Sequence, residues 1–136
     1  MGNCFVTSNK DQLTRIEKEL SALQTSSERM FVEMLDKRVD VFEMDRLFTT
    51  LDRIAQLRIQ RSLLNSKPED EIVEEKKAFR KDQISRLNRL IRYYRSELWK
   101  KGINSEEKMD RCKTRLEELR KQKWILDKIR KNENRT

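Results

Sequence analysis

The chain has 136 residues, 41% of them charged and 35% hydrophobic, which suits one domain with a thin core. Two glycines and one proline in the whole sequence argue against a β-sandwich or barrel, whose strands need a turn every ~8–12 residues, and leave long helices. Histidine is absent and the two cysteines, Cys4 and Cys112, are far apart. The usual zinc spacings, the Ser-His-Asp triad and the Cys-His dyad are therefore missing. The expectation is a chain that is not an enzyme, with no catalytic residue, no metal site, no cofactor and no small-molecule substrate.

The net charge is +8, and its distribution says more than its sum. Residues 1–68 carry a net charge of +1 and residues 69–136 carry +7. No stretch reaches the ~18 apolar residues that a membrane span requires, and the N-terminus lacks the apolar run of a secretory signal. Two thiols without a disulfide spacing fit a reducing compartment. The expected location is the cytoplasm or the cytosolic face of a membrane.

Residues 1–9 read as a flexible acylation signal. Met1-Gly2-Asn3-Cys4-Phe5-Val6-Thr7 resembles the N-terminus of dually acylated peripheral membrane proteins, in which a glycine exposed by methionine removal takes myristate and a nearby cysteine takes palmitate. The resemblance implies Gly2 and Cys4 as the two acceptors. In the usual pattern a Ser or Thr stands where this chain has Val6, and its hydroxyl comes one residue later, at Thr7.

From residue 10 to 65 the apolar residues step by three and four, through Leu13, Ile16, Leu20, Leu23, Met30, Met34, Val41, Met44, Phe48, Leu51 and Ala55. This is a heptad seam. A second stripe of Phe31, Leu35, Phe42, Leu47, Ile54 and Leu57 broadens it and argues for three or more packed helices. Thr25-Ser26-Ser27-Glu28 has the form of a capping box, so the segment is expected to be one long helix or two meeting near Ser26.

Pro68 marks the strongest break, because proline disfavours helix in the residue before it and suits a first turn. The segment 66–131 is expected to hold two basic helices. The first opens on Glu69, Asp70 and Glu71, which complement the helix dipole, and runs along a seam of Val73, Arg80, Ile84, Leu87, Ile91, Tyr94 and Leu98. Gly102 with Ile103 would close it in a Schellman motif. The second helix follows a seam of Met109, Cys112, Leu116, Leu119, Lys123 and Leu126. Trp99 and Trp124 are expected to plug the core near helix ends, and residues 132–136 to fray.

Short connections make neighbouring helices antiparallel. The expected fold is therefore all-α, an elongated antiparallel helical hairpin or three-helix bundle with coiled-coil seams. Helices of unequal length leave apolar seam uncovered, which invites a second copy or a partner helix.

Residues 76–101 hold ten basic side chains against Asp82 and Glu97. Helical phase puts Arg86, Arg89, Arg92 and Lys100 opposite the apolar seam, where they could meet an anionic membrane surface or nucleic acid. A solvated surface paired with acidic neighbours has the same composition, so three readings of this face stand. The function expected is an N-terminally acylated, peripheral membrane scaffold, adaptor or matrix-like protein working through protein–protein contacts. The alternative is a soluble coiled-coil protein that binds nucleic acid through the basic helices.

Overall fold

The computed structural model describes residues 8–35, 40–100 and 106–134. Among these, 94% are helical and none forms a strand. The described residues form four helices: α1 (Asn9–Leu35), α2 (Val41–Leu64), α3 (Glu69–Trp99) and α4 (Glu106–Asn134). The all-helical expectation follows from composition and holds.

Four of the helix ends have a local cause. Ser8 caps α1, its Oγ accepting from the Asp11 amide at 3.2 Å. Asp40 caps α2, its Oδ1 accepting from the Phe42 amide at 2.9 Å while its carbonyl takes the Met44 amide. At the end of α2 the Lys67 amide donates to the Ser62 carbonyl and the Ser66 amide to the Leu63 carbonyl. This is a Schellman closure, and Ser66 holds its left-handed position at φ 55°, where glycine is the usual occupant. Pro68 then receives the Ile72 amide at 3.2 Å, and Glu69, Asp70 and Glu71 fill the first turn of α3.

Of the two alternatives for residues 10–65, one long helix or two meeting near Ser26, the break at Ser26 does not occur. α1 runs through it, because Thr25 Oγ1 donates to the Ser21 carbonyl at 3.0 Å and Ser27 Oγ to the Gln24 carbonyl at 3.0 Å. Hydroxyls spent on the preceding turn cannot cap a new helix. The division falls instead between Leu35 and Val41. The tail expected to fray from residue 132 is helical as far as Asn134, and Glu133 lies 3.7 Å from Arg80 Nε. The Gly102 cap lies outside the described residues.

The chain divides into two compact units. The first comprises Met1–Arg38 with Arg46–Phe79 and the second Val39–Asp45 with Arg80–Thr136. In the first unit, Ile16 and Leu20 of α1 are buried with Ile54 and Leu57 of α2, flanked by Leu23, Leu51 and Leu64. A buried Leu or Ile contributes about 1.5–3 kcal/mol each. Around this core Arg53 meets Glu19 at 2.9 Å and Arg61 meets Glu17 at 3.3 Å. Those pairs are exposed and add at most about 1 kcal/mol each.

The second unit buries Val41 of α2, Ile84, Leu87, Leu90 and Tyr94 of α3, and Cys112, Leu116, Leu119 and Leu126 of α4. The phase at the start of α3 differs from the expected seam: Ile72 is buried and Val73 is exposed. The second stripe expected for residues 31–57 also divides. Leu47, Ile54 and Leu57 are buried, whereas Phe31 and Leu35 are more than half exposed.

Candidate functional site

Beneath α3 in the second unit lies one buried polar network. Asp45, 8% exposed, accepts three hydrogen bonds: from the Tyr94 hydroxyl at 2.6 Å, from Arg115 Nε at 2.6 Å and from Arg115 NH2 at 2.9 Å. The fork of Arg115 thus grips both carboxylate oxygens, and its third nitrogen donates to Glu118 at 3.1 Å. The Phe42 ring meets Tyr94 edge-on at 5.8 Å and carries the Arg111 guanidinium 4.2 Å from its centroid. Burial first, then the Asp45 carboxylate, pushes the Tyr94 phenol well above its ordinary pKa. The hydrogen bonds to Asp45 raise that of Arg115. The Tyr94 hydroxyl and all three Arg115 nitrogens donate to carboxylates. The arrangement ties α2, α3 and α4 together.

Sequence reasoning placed Tyr94 on the apolar seam and overlooked its partners. The missed signal is the phenol itself, since a buried tyrosine hydroxyl needs an acceptor.

Above the network, the outer surface of α3 carries the basic residues singled out from sequence. Arg89 and Arg92 are exposed, Arg86 is half-buried and Lys100 is exposed. Lys100 Nζ is held by Glu97 at 2.9 Å, and Glu97 also receives Lys108 at 3.0 Å. The hydrogen bond from Lys100 is the main reason that the Glu97 carboxyl titrates below its ordinary range. The four cations therefore do not form one open patch: Lys100 is tied to Glu97, and Arg86 leans into the protein. Gly2 and Cys4 lie outside the described residues.

Both tryptophans depart from the expected core positions. Trp99 is 84% exposed and Trp124 61% exposed, the latter with Lys128 Nζ 3.7 Å above its ring. Tyr93 is exposed as well, while Cys112 is fully buried. Burial raises the pKa of the Cys112 thiol, which disfavours the nucleophilic thiolate.

In the first unit an open groove of about 380 Å³ has a floor of Ile16, Leu57, Leu63 and Leu64. Its rim includes Arg53 and Glu19, already paired with each other. Among the described residues no cluster of three or more Cys, Asp or Glu could hold a metal ion. Nor is any described helix long and apolar enough to cross a membrane. No known protein family, characterised protein or solved structure matches the chain.

Proposed function

We propose that this protein is a non-enzymatic helical scaffold or adaptor, held on the cytosolic face of a membrane by acyl groups on Gly2 and Cys4, that works through protein–protein contacts. The observation that carries the scaffold reading is the end of α1, where Phe31, Val32 and Leu35 are each more than half exposed. Apolar side chains clustered on one turn mark a contact surface for another chain, either a second copy or a partner helix. The pairing of Glu17 with Arg61 and Glu19 with Arg53, like that of Glu97 with Lys108 and Arg80 with Glu133, supports antiparallel neighbours with seams of coiled-coil type.

The tether rests on the first seven residues and on the need for a second signal beside a single myristoyl chain. The test compares wild type with Gly2→Ala in eukaryotic cells, by fractionation and by intact mass. Wild type is expected in the membrane fraction, with Met1 lost and the mass of a myristoyl group gained, and Gly2→Ala in the soluble fraction. Equal retention of both forms, or an unmodified wild-type mass, overturns the tether. The scaffold part is read separately by sedimentation of Phe31→Glu/Leu35→Glu, which is expected to abolish self-association or partner capture.

A second reading, a nucleic-acid-binding coiled-coil protein, draws on the exposure of Tyr93 and Trp99 among Arg89, Arg92 and Arg95. Aromatic rings between cations can stack on bases. It predicts binding to single strands with a steep salt dependence.

A further inference from the structure

Six residues of α3, Lys81, Ser85, Arg89, Arg92, Ser96 and Trp99, are all exposed. They are spaced by four, four, three, four and three. At 100° per residue they stay within about 80° of arc, a single straight stripe roughly 27 Å long. The buried side chains Ile84, Leu87, Leu90 and Tyr94 lie on the opposite side of the same helix. Ion pairs in this unit engage Arg80, Lys100, Lys108 and Arg115, and among the described residues these pairs do not take Lys81, Arg89 or Arg92. From Gln83 to Ser96 α3 contains no acidic residue.

We propose that this stripe is a docking surface for an anionic lipid bilayer, with the Trp99 indole seated among the headgroups. The proposal rests on the membrane reading above and supplies the second contact that a weak acyl tether needs. Three cations in line on one face of a helix match a flat anionic surface. Ser85 and Ser96 are short, so the arginines beside them reach outward without obstruction. The only aromatic ring on the stripe itself is at its end, where an indole with an apolar body and one N–H donor suits the interface between water and acyl chains. A strand of bases would favour rings interleaved along the stripe, and Tyr93 stands well to one side of it.

The experiment uses the full chain without acyl groups, so that its outcome is independent of Gly2. Trp124→Phe leaves Trp99 as the sole tryptophan of the two in the sequence. Adding vesicles of phosphatidylcholine with phosphatidylserine is expected to shift Trp99 emission to the blue, and vesicles of phosphatidylcholine alone are not. Arg89→Gln/Arg92→Gln is expected to weaken vesicle partitioning about 30-fold, and added salt to weaken it further.

Cosedimentation of otherwise wild-type protein, beside Trp99→Ala, repeats the reading without the Trp124 substitution. Binding that is equal on both vesicle types, unaffected by the double substitution, or absent while single-stranded DNA quenches Trp99 overturns the proposal. If vesicles bind as expected while Gly2→Ala leaves cell fractionation unchanged, the tether fails and the stripe stands. The converse pair of results sinks the stripe alone.

Discussion

Replacing Asp45 measures how much of the second unit depends on its buried network. Asp45→Leu removes the acceptor of three hydrogen bonds of 2.6–2.9 Å. It strands the hydroxyl of Tyr94, which is 1% exposed, at a cost of about 1–3 kcal/mol. Arg115 loses both contacts to the carboxylate but keeps Glu118, and its side chain is 31% exposed. The guanidinium therefore recovers some hydration, which places the total near the lower end of the ~3–5 kcal/mol usual for breaking a buried pair. Arg115→Met should cost about 3 kcal/mol, because it takes the guanidinium from a buried carboxylate. The double substitution Asp45→Leu/Arg115→Met exchanges charge for apolar contact. It should cost about 2–3 kcal/mol less than the sum of the singles. Urea unfolding followed by far-UV circular dichroism reads all three. A loss below about 1 kcal/mol for Asp45→Leu with an unchanged m-value, or strict additivity in the double variant, would refute the account of the network as a tether.

Ser66→Gly should stabilise the chain by about 0.5–1 kcal/mol in the same urea assay, because glycine occupies a left-handed Schellman position without the Cβ penalty; a loss of stability would contradict the φ read at that turn. Leu57→Ala should cost about 2–5 kcal/mol, since Leu57 is buried at the centre of the first unit's core, and a cost under 1 kcal/mol in thermal and urea unfolding would show that core to be loosely packed. The Glu97 carboxyl titrates lower in the folded chain than in the unfolded one, so its contribution is present above the unfolded carboxylate range and fades as pH falls through the folded value. Glu97→Gln should therefore flatten the acid limb of stability, and identical acid limbs in the two proteins would remove Lys100 and Lys108 as the cause. The Tyr94 phenol is shifted the other way, which places its contribution below pH ~10 and its loss above that; Tyr94→Phe should soften alkaline unfolding, and an unaltered alkaline limb would argue against burial of the phenol.

Composition and punctuation made much of the fold legible. Scarce Gly and Pro left only helices, Pro68 with its acidic followers placed the start of α3, and the three- and four-residue steps around Ile16, Leu20 and Leu57 located the first unit's core. The alternative of a break near Ser26 fell at the wrong place because Thr25–Glu28 and Asp40–Glu43 both have capping-box spacing. In the first, the hydroxyls turn back to carbonyls of the preceding turn, whereas the second has a carboxylate aimed at the Phe42 amide. Nothing in either tetrad alone decides between those fates. The Asp45 network was hidden for a related reason. Asp45, Tyr94 and Arg115 are separated by 49 and 21 positions, and a partner chosen across helices leaves no local period. Trp99 was misassigned by the general rule that large rings are buried, which fails where the ring sits beyond the last buried turn of its helix.

Neither compact unit is a contiguous stretch of chain. α2 changes unit after Asp45 and α3 after Phe79, so one continuous helix serves both cores at each crossing. No single excision can release a unit without cutting a helix that the other requires. On the ribosome the same arrangement imposes an order. The first unit has all its residues once Phe79 emerges, while Val41 and Asp45 must wait for α4, about 3–11 s of further synthesis at ~5–20 residues per second. During that interval Asp45 lacks the Arg115 fork that grips it in the finished chain. The second core therefore closes only when the last helix has emerged.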